Sequence, residues 1–200
     1  MVIKTKKDLK YFIDSDLKSQ EIDKVTINMV IKSLFVPQIW KYEILLRKLE
    51  YCINNNRRIA MMYYKLRLKR YGVHLCFDIE PNVFGPGLCL CHVGTIIVNG
   101  NCKIGANARI HADVNIGNSS EFGKEWTPNN VPIIGDNVYI GPGAKLFGKI
   151  NIGDNVAIGA NAVINKDVPD NVTVAGVPGK IVSHKGSVSL IIKGADIIKK

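Results

Sequence analysis

The sequence predicts a mainly β chain, a parallel β-helix of hexapeptide repeats with an α-helical N-terminal segment. Three observations carry this reading. From Val98 to Val168 an aliphatic anchor returns every sixth position, at Val98, Ile104, Ile110, Ile116, Ile134, Ile140, Leu146, Ile152, Ile158 and Ile164. A helix repeats at about 3.6 residues and a half-buried strand at about 2, so neither gives this spacing. The fourth residue after an anchor is small or β-branched, as at Ala108, Val114, Val138, Ala144, Val156 and Ala162. Between these inward positions stand turn formers, among them Gly105, Gly135, Gly153, Asp136-Asn137, Pro142-Gly143, Asp154-Asn155 and Asn161. Each hexad is therefore one short strand and one corner. Three hexads close a coil of roughly 18 residues, and stacked coils bury one continuous core. Such a repeat supplies a scaffold and no chemistry of its own.

The other elements follow in order. Thr5 caps a first helix running towards Lys18, with Leu9, Phe12 and Ile13 on one face. A second helical pattern follows Pro37, where Ile39, Trp40, Ile44, Leu45 and Leu49 recur through Tyr51. After the break at Asn54-Asn55-Asn56, Ile59 to Tyr71 reads as a third helix, aromatic and basic by turns. Gly72 marks the change of style, which gives a helical domain over 1–72 and a β-helical domain over 73–182. The hexads begin loosely at Cys76, with Ile79 to Val83 as a first coil, and Gly85-Pro86-Gly87 interrupts them. Between Ile116 and Ile134 the anchors fail. The stretch 118–131 is polar, contains Trp126 and must leave the cylinder as an inserted loop, the kind of segment in which function concentrates. The repeat ends at Val168-Pro169, a turn-rich segment to Val182 follows, and 183–200 forms a tail in which Leu190-Ile191-Ile192 suits a last strand or helical turn.

At 200 residues the chain holds a full core without staples. Five cysteines, an odd number without Cys-x-x-Cys spacing, point to reduced thiols in a cytoplasmic protein. No apolar region follows the lysine-rich start and no apolar run reaches about 18 residues, which argues against a secretory signal and a membrane span. The net charge of +10 is uneven: residues 1–70 hold 16 Lys and Arg against 7 Asp and Glu, and the remainder 11 against 10. Arg57-Arg58, Lys65, Arg67, Lys69 and Arg70 form the densest patch. No nucleic-acid motif accompanies it, so nucleic acid is not the expected partner. A solvated helix face, or contact with an anionic membrane or a phosphorylated glycolipid, accounts for it better.

Three stretches, in this order on a hexad repeat, resemble the left-handed β-helix acyltransferases. They are Asp78-Ile79-Glu80-Pro81 followed by Gly87-Leu88-Cys89-Leu90-Cys91-His92; Ile140-Gly141-Pro142-Gly143-Ala144-Lys145; and Ala175-Gly176-Val177-Pro178. The resemblance is strongest to the serine acetyltransferase branch and its relatives in polysaccharide biosynthesis, and it covers roughly Asp78 to Val182. It implies a left-handed coil, a homotrimer with active sites between subunits, acetyl-coenzyme A as co-substrate and no required metal.

Transfer of an acetyl group from a thioester to a hydroxyl needs a base, a donor for the developing oxyanion and an acid for the departing thiolate. One histidine serves as base and then acid. The resemblance makes His92 that histidine, Asp78 the carboxylate orienting it and the backbone N–H of Asn118 the oxyanion donor. His111, at a coil corner where Gly is usual, is the rival. For coenzyme A the resemblance implies corner backbone at Gly141, Pro142 and Ala160, and Lys166 and Lys180 are the phosphate candidates. Two departures bear on the acceptor. Serine acetyltransferases have Asp directly before the catalytic His, where this chain has Cys91, and a second His before the Pro ending the inserted loop, where it has Val131. Without those groups a sugar hydroxyl becomes the expected acceptor, with Trp126 as a stacking surface, and serine the alternative. A zinc enzyme would need about three converging imidazoles, and the coils offer only His92 and His111. A non-catalytic scaffold or binding subunit is the remaining reading.

Overall fold

The structure is a computed structural model and describes residues 2–119 and 127–199. The first half is helical: α1 (Lys6–Ser19), α2 (Ile27–Phe35), α3 (Ile39–Asn54) and α4 (Arg58–Leu75). Thr5 begins α1 through a reciprocal cap, its side chain accepting from the Asp8 N–H while the Asp8 carboxylate accepts from the Thr5 N–H at 2.7 Å. The sequence reading passed over α2, which Thr26 caps. It also ended the third predicted helix too early. α4 continues through Gly72, where a Cβ would stand 2.6 Å from the Phe77 carbonyl oxygen, and stops at Cys76 in the left-handed conformation, φ 62°.

From Phe77 the chain winds into a three-faced parallel β-helix. One face stacks Phe77–Ile79, Ile96–Val98, Val114–Gly117, Lys145–Phe147 and Val163–Ile164; a second stacks Lys103–Ile104, Ile133–Ile134 and Asn151–Ile152. The third stacks Cys89–Leu90, Arg109–Ile110, Tyr139–Ile140, Ala157–Ile158 and Thr173–Ala175, and the antiparallel strand Lys180–Ser183 closes it. Regular coils advance 18 residues, as Tyr139 pairs with Ala157 and Lys145 with Val163. Across the insertion the step is 30, since Arg109 pairs with Tyr139. The register is kept on both sides of the insertion.

Among the described residues, the anchors and the residues four places later point inward and form one core running from Tyr42 and Leu46 of α3 to Val174. Two polar ladders climb the corners. Asn107, Asn137, Asn155 and Asn171, all at φ between 56° and 60°, pass side-chain amide bonds of 2.9 Å from coil to coil. Asp136, Asp154 and Asp170 accept the backbone N–H groups of Ala106, Asp136 and Asp154. These ladders replace solvent for corner groups that stacking would otherwise bury unpaired.

A buried ionic cluster, not foreseen from the sequence, joins the helices to the first coil. Arg47 on α3 is fully enclosed and donates to Asp16 at 2.7 and 3.2 Å, to Glu50 at 3.0 Å and to the carbonyls of Phe84 and Gly85 at 2.9 and 2.6 Å. Asp16 in turn accepts from the N–H groups of Gly87 and Leu88, and Glu43 from that of Leu90. Burial pushes the Asp16 and Glu43 carboxyls up, partly countered by Arg47. The tail is also ordered: α5 (Gly194–Lys199) packs on α1, and the Ala195 N–H donates to Asn107 Oδ1 at 2.9 Å.

Candidate active site along one prism edge

Strand register lines up Leu90, Ile110, Ile140 and Ile158 inside the third face. The next residue of each coil therefore falls on the edge shared with the first face, giving a column of Cys91, His111, Gly141 and Gly159. Their N–H groups donate to Ile110, Ile140, Ile158 and Val174 carbonyls at 2.8–3.1 Å. His92 stands beside the head of this column, exposed, with its ring centroid 5.5 Å from that of His111; the His111 ring lies 5.0 Å from Tyr139. The two histidines that the sequence set against each other thus share one site.

The neighbouring outward column is Cys89, Arg109 and Tyr139. Cys89 and Cys91 sulfurs are 3.9 Å apart. Their contact, with Arg109 beside it, holds the Cys91 thiol below its ordinary value, while the same contact and burial push Cys89 up. Burial, then the positive charges of Arg109 and His92, hold the His111 imidazole below its ordinary value. Among the described residues, the enclosed Arg109 Nε and His111 Nε2 have no hydrogen-bond partner. Arg109 and Tyr139 escaped sequence reasoning because an outward strand position in a hexad ordinarily belongs to a solvated side chain.

The other expected residues are dispersed. Asp78 lies exposed on the first face beside Ile97, and among the described residues no hydrogen bond joins it to His92. Its carboxylate opens into a mostly apolar groove with Tyr42, Met61, Lys65, Thr95 and Ile97. Asn118 holds the mouth of the insertion, its side-chain amide donating to the Thr127 carbonyl at 2.9 Å, and its backbone N–H has no partner among the described residues. Trp126 lies outside the described residues. Val131 is a correction: it is 4% exposed and part of the continuous core, so it faces into the prism and offers no surface to an acceptor.

Further along the edge, Gly141 has its N–H committed to Ile158, and Pro142 accepts from the Asn161 N–H at 2.8 Å. Pro142 and Ala160 are exposed, and the Ala160 N–H has no partner among the described residues. A Cβ at Gly141 would meet the Ala160 nitrogen at 2.9 Å. Stacking alone therefore demands glycine there, and it leaves the edge bare of side chains. At about 4.8 Å per coil, the bare edge extends roughly 10–15 Å from His92. Lys166 and Lys180 are exposed and form no ion pair among the described residues.

The bacterial transferase hexapeptide family (six repeats) matches residues 132–166. A serine acetyltransferase of Staphylococcus epidermidis (strain RP62A) is 30% identical over 187 residues, 93% of this chain and 81% of that protein. A serine acetyltransferase of Staphylococcus aureus (strain N315) is 41% identical over 110 residues, 54% of this chain and 50% of that protein. Among solved structures, Neisseria gonorrhoeae serine acetyltransferase superposes with a TM-score of 0.67 at 28% identity, covering 96% of this chain and 72% of that one. Brucella abortus serine acetyltransferase in complex with coenzyme A gives 0.65 at 27% identity, covering 91% and 69%. The fold is the left-handed parallel β-helix of these enzymes. The chain belongs to the serine acetyltransferase family of hexapeptide-repeat acyltransferases.

Proposed function

We propose that this chain is an acetyl-coenzyme A-dependent O-acetyltransferase in which His92 is the base. The observation that carries the reading is the exposed His92 beside His111 at the head of an edge that loses its side chains at Gly141 and Gly159. His92 takes the proton from the acceptor hydroxyl as its oxygen attacks the thioester carbonyl. The oxyanion of the tetrahedral species accepts from the Asn118 N–H. Its collapse breaks the C–S bond, and His92 returns the proton to the departing thiolate. Coenzyme A lies along the edge past Gly141 and Pro142 to the unengaged Ala160 N–H, with Lys166 and Lys180 available to phosphate. Asp78 is the orienting carboxylate of this reading. The likeness to the serine acetyltransferases supports a homotrimer with sites between subunits. The basic helices support peripheral contact with an anionic membrane or glycolipid.

The relatives carry the serine acetyltransferase name, so the comparisons favour serine as acceptor over the sugar hydroxyl that the residues put first. One local observation keeps the sugar as a second reading: next to His92 stands the thiol Cys91 rather than a carboxylate, and Val131 is buried and apolar. A free amino acid finds no charged partner at either position. A panel of serine, homoserine and free or nucleotide-linked sugars, assayed by thiol release from acetyl-coenzyme A and by mass of the product, tests both. Turnover with serine alone rejects the sugar, turnover with a sugar alone rejects serine, and no acetylated product from any acceptor rejects the transferase reading.

A further inference from the structure

The helical half carries a surface that acetyl transfer does not use. In α2 the apolar residues Ile27, Val30, Ile31, Leu34 and Phe35 recur at the spacing of a core-facing stripe, yet all five face solvent, with Ile27 at 78%, Leu34 at 71% and Phe35 at 81% exposure. Ser33 is the buried residue of this helix, and Tyr71 and Lys41 anchor it, donating at 3.0 and 2.9 Å to its carbonyl and hydroxyl oxygens. The helix is thus held with its apolar side outward.

α4 presents a second stripe. Leu68, Gly72 and Leu75 face the interior. On the opposite side Ile59, Met62, Leu66 and Val73 are exposed, Ile59 at 90%. At about 100° per residue, Arg58, Lys65 and Lys69 flank this stripe on one side and Arg67 and Arg70 on the other. Neither helix contains an acidic residue. The α2 stripe lies beside the cationic flank of α4, where Leu34 and Phe35 share a groove with Arg67, Arg70 and His74.

We propose that the outer face of α2 and α4 docks peripherally on an anionic lipid bilayer. An apolar stripe bordered by long cationic side chains suits that interface: the stripe sinks below the headgroups while the Arg and Lys stems reach back to the lipid phosphates. Phe35, at the end of α2, is the most exposed apolar residue of that helix. Two-fold pairing of this face with itself is disfavoured, because it would set these cations against their own copies with no acid in either helix to answer them. No described helix is long and apolar enough to cross a membrane, so the contact is superficial. The inference goes beyond acetyl transfer and does not depend on it.

The test is flotation of the full-length chain with vesicles of phosphatidylcholine alone or mixed with phosphatidylglycerol. Binding is expected only to the mixed vesicles, weakening as salt rises. Leu34→Ser with Phe35→Ser, and separately Arg67→Glu with Arg70→Glu, should each lower it by roughly tenfold or more. These positions are on the surface, so the thermal midpoint should stay unchanged and establish that the variants fold. Absence of binding to anionic vesicles, or equal binding by the variants, would overturn the proposal. So would sedimentation in which Leu34→Ser with Phe35→Ser lowers the mass of the assembly, since another copy would then cover the face. A failed transfer assay would leave these outcomes untouched.

Discussion

His92 and His111 stand one coil apart in the chain and bring their rings to 5.5 Å. Burial, with Arg109 and His92 beside it, disfavours a proton on His111, so the exposed His92 ring faces a neighbour biased towards its neutral form. In the proposed reaction this divides the roles: His92 moves the proton and His111 shapes its surroundings. His92→Ala should lower kcat for acetyl transfer by roughly 10²–10⁴-fold while coenzyme A still raises the thermal midpoint. His111→Ala should lower it less. Unchanged turnover of the His92 variant in a coupled thiol assay removes it from the mechanism.

His111 also sets a pH dependence. Burial, Arg109 and His92 hold its imidazole below the ordinary 6.5, so the folded state resists a proton that the unfolded chain accepts. Above the ordinary value both states are neutral and its contribution is complete. As pH falls through that value towards the lower folded one, stability is lost. Thermal midpoints recorded from about pH 7.5 to about pH 5 should therefore fall, and the fall should be shallower in His111→Gln. Identical slopes would assign the loss to other groups.

Restoring a carboxylate beside His92 tests the acceptor. Cys91→Asp supplies a charge that the ammonium of an amino acid needs, worth roughly tenfold at a partly buried site. The ratio of kcat/KM for serine to that for a sugar acceptor should rise by about that factor. A ratio that stays put would show that the position does not face the acceptor.

Arg47→Met should destabilise the chain by about 3–5 kcal/mol, because it strands Asp16 and Glu50 in the interior without their cation. Chemical denaturation measures this directly. Arg47→Lys should recover only part of the loss, since one ammonium cannot span two carboxylates and the Phe84 and Gly85 carbonyls.

These residues mark what was legible in the chain. The core could be read because a six-residue period has one explanation: every anchor and its fourth successor must face inward. The motifs around His92 and Gly141 made them candidates, and the stacking of the coils sets both along one prism edge. α2 was not, because its apolar face is turned outward and its short run, ending at Pro37, resembles a buried strand as much as a helix. Arg47 was not, because a single arginine among the charges of α3 looks solvated until Asp16, distant in sequence, arrives beside it. Arg109 and Val131 went astray for a shared reason. Whether a residue next to a loop or corner points in or out depends on the coil above, and spacing within one hexad does not fix that. Asp78 was matched by motif, and whether it bonds to His92 depends on how the first coil closes, which no linear spacing contains.

Asn137→Ala should cost more than Asn137→Gly. Both remove the ladder bonds to Asn107 and Asn155, but only Ala also opposes φ 58°, adding about 1–2 kcal/mol. Equal losses in a denaturant titration would mean that the amide bonds, and not the backbone, govern the corner.

The bond from Ala195 to Asn107 gives the molecule a clasp. A stack of coils touching only its neighbours tends to peel from whichever end is free. Here the last segment doubles back to lie on the first helix, so the final coil cannot lift away while that helix holds it. Beginning and end become one seam, and the protein should melt as a single zipped cylinder rather than unwind turn by turn.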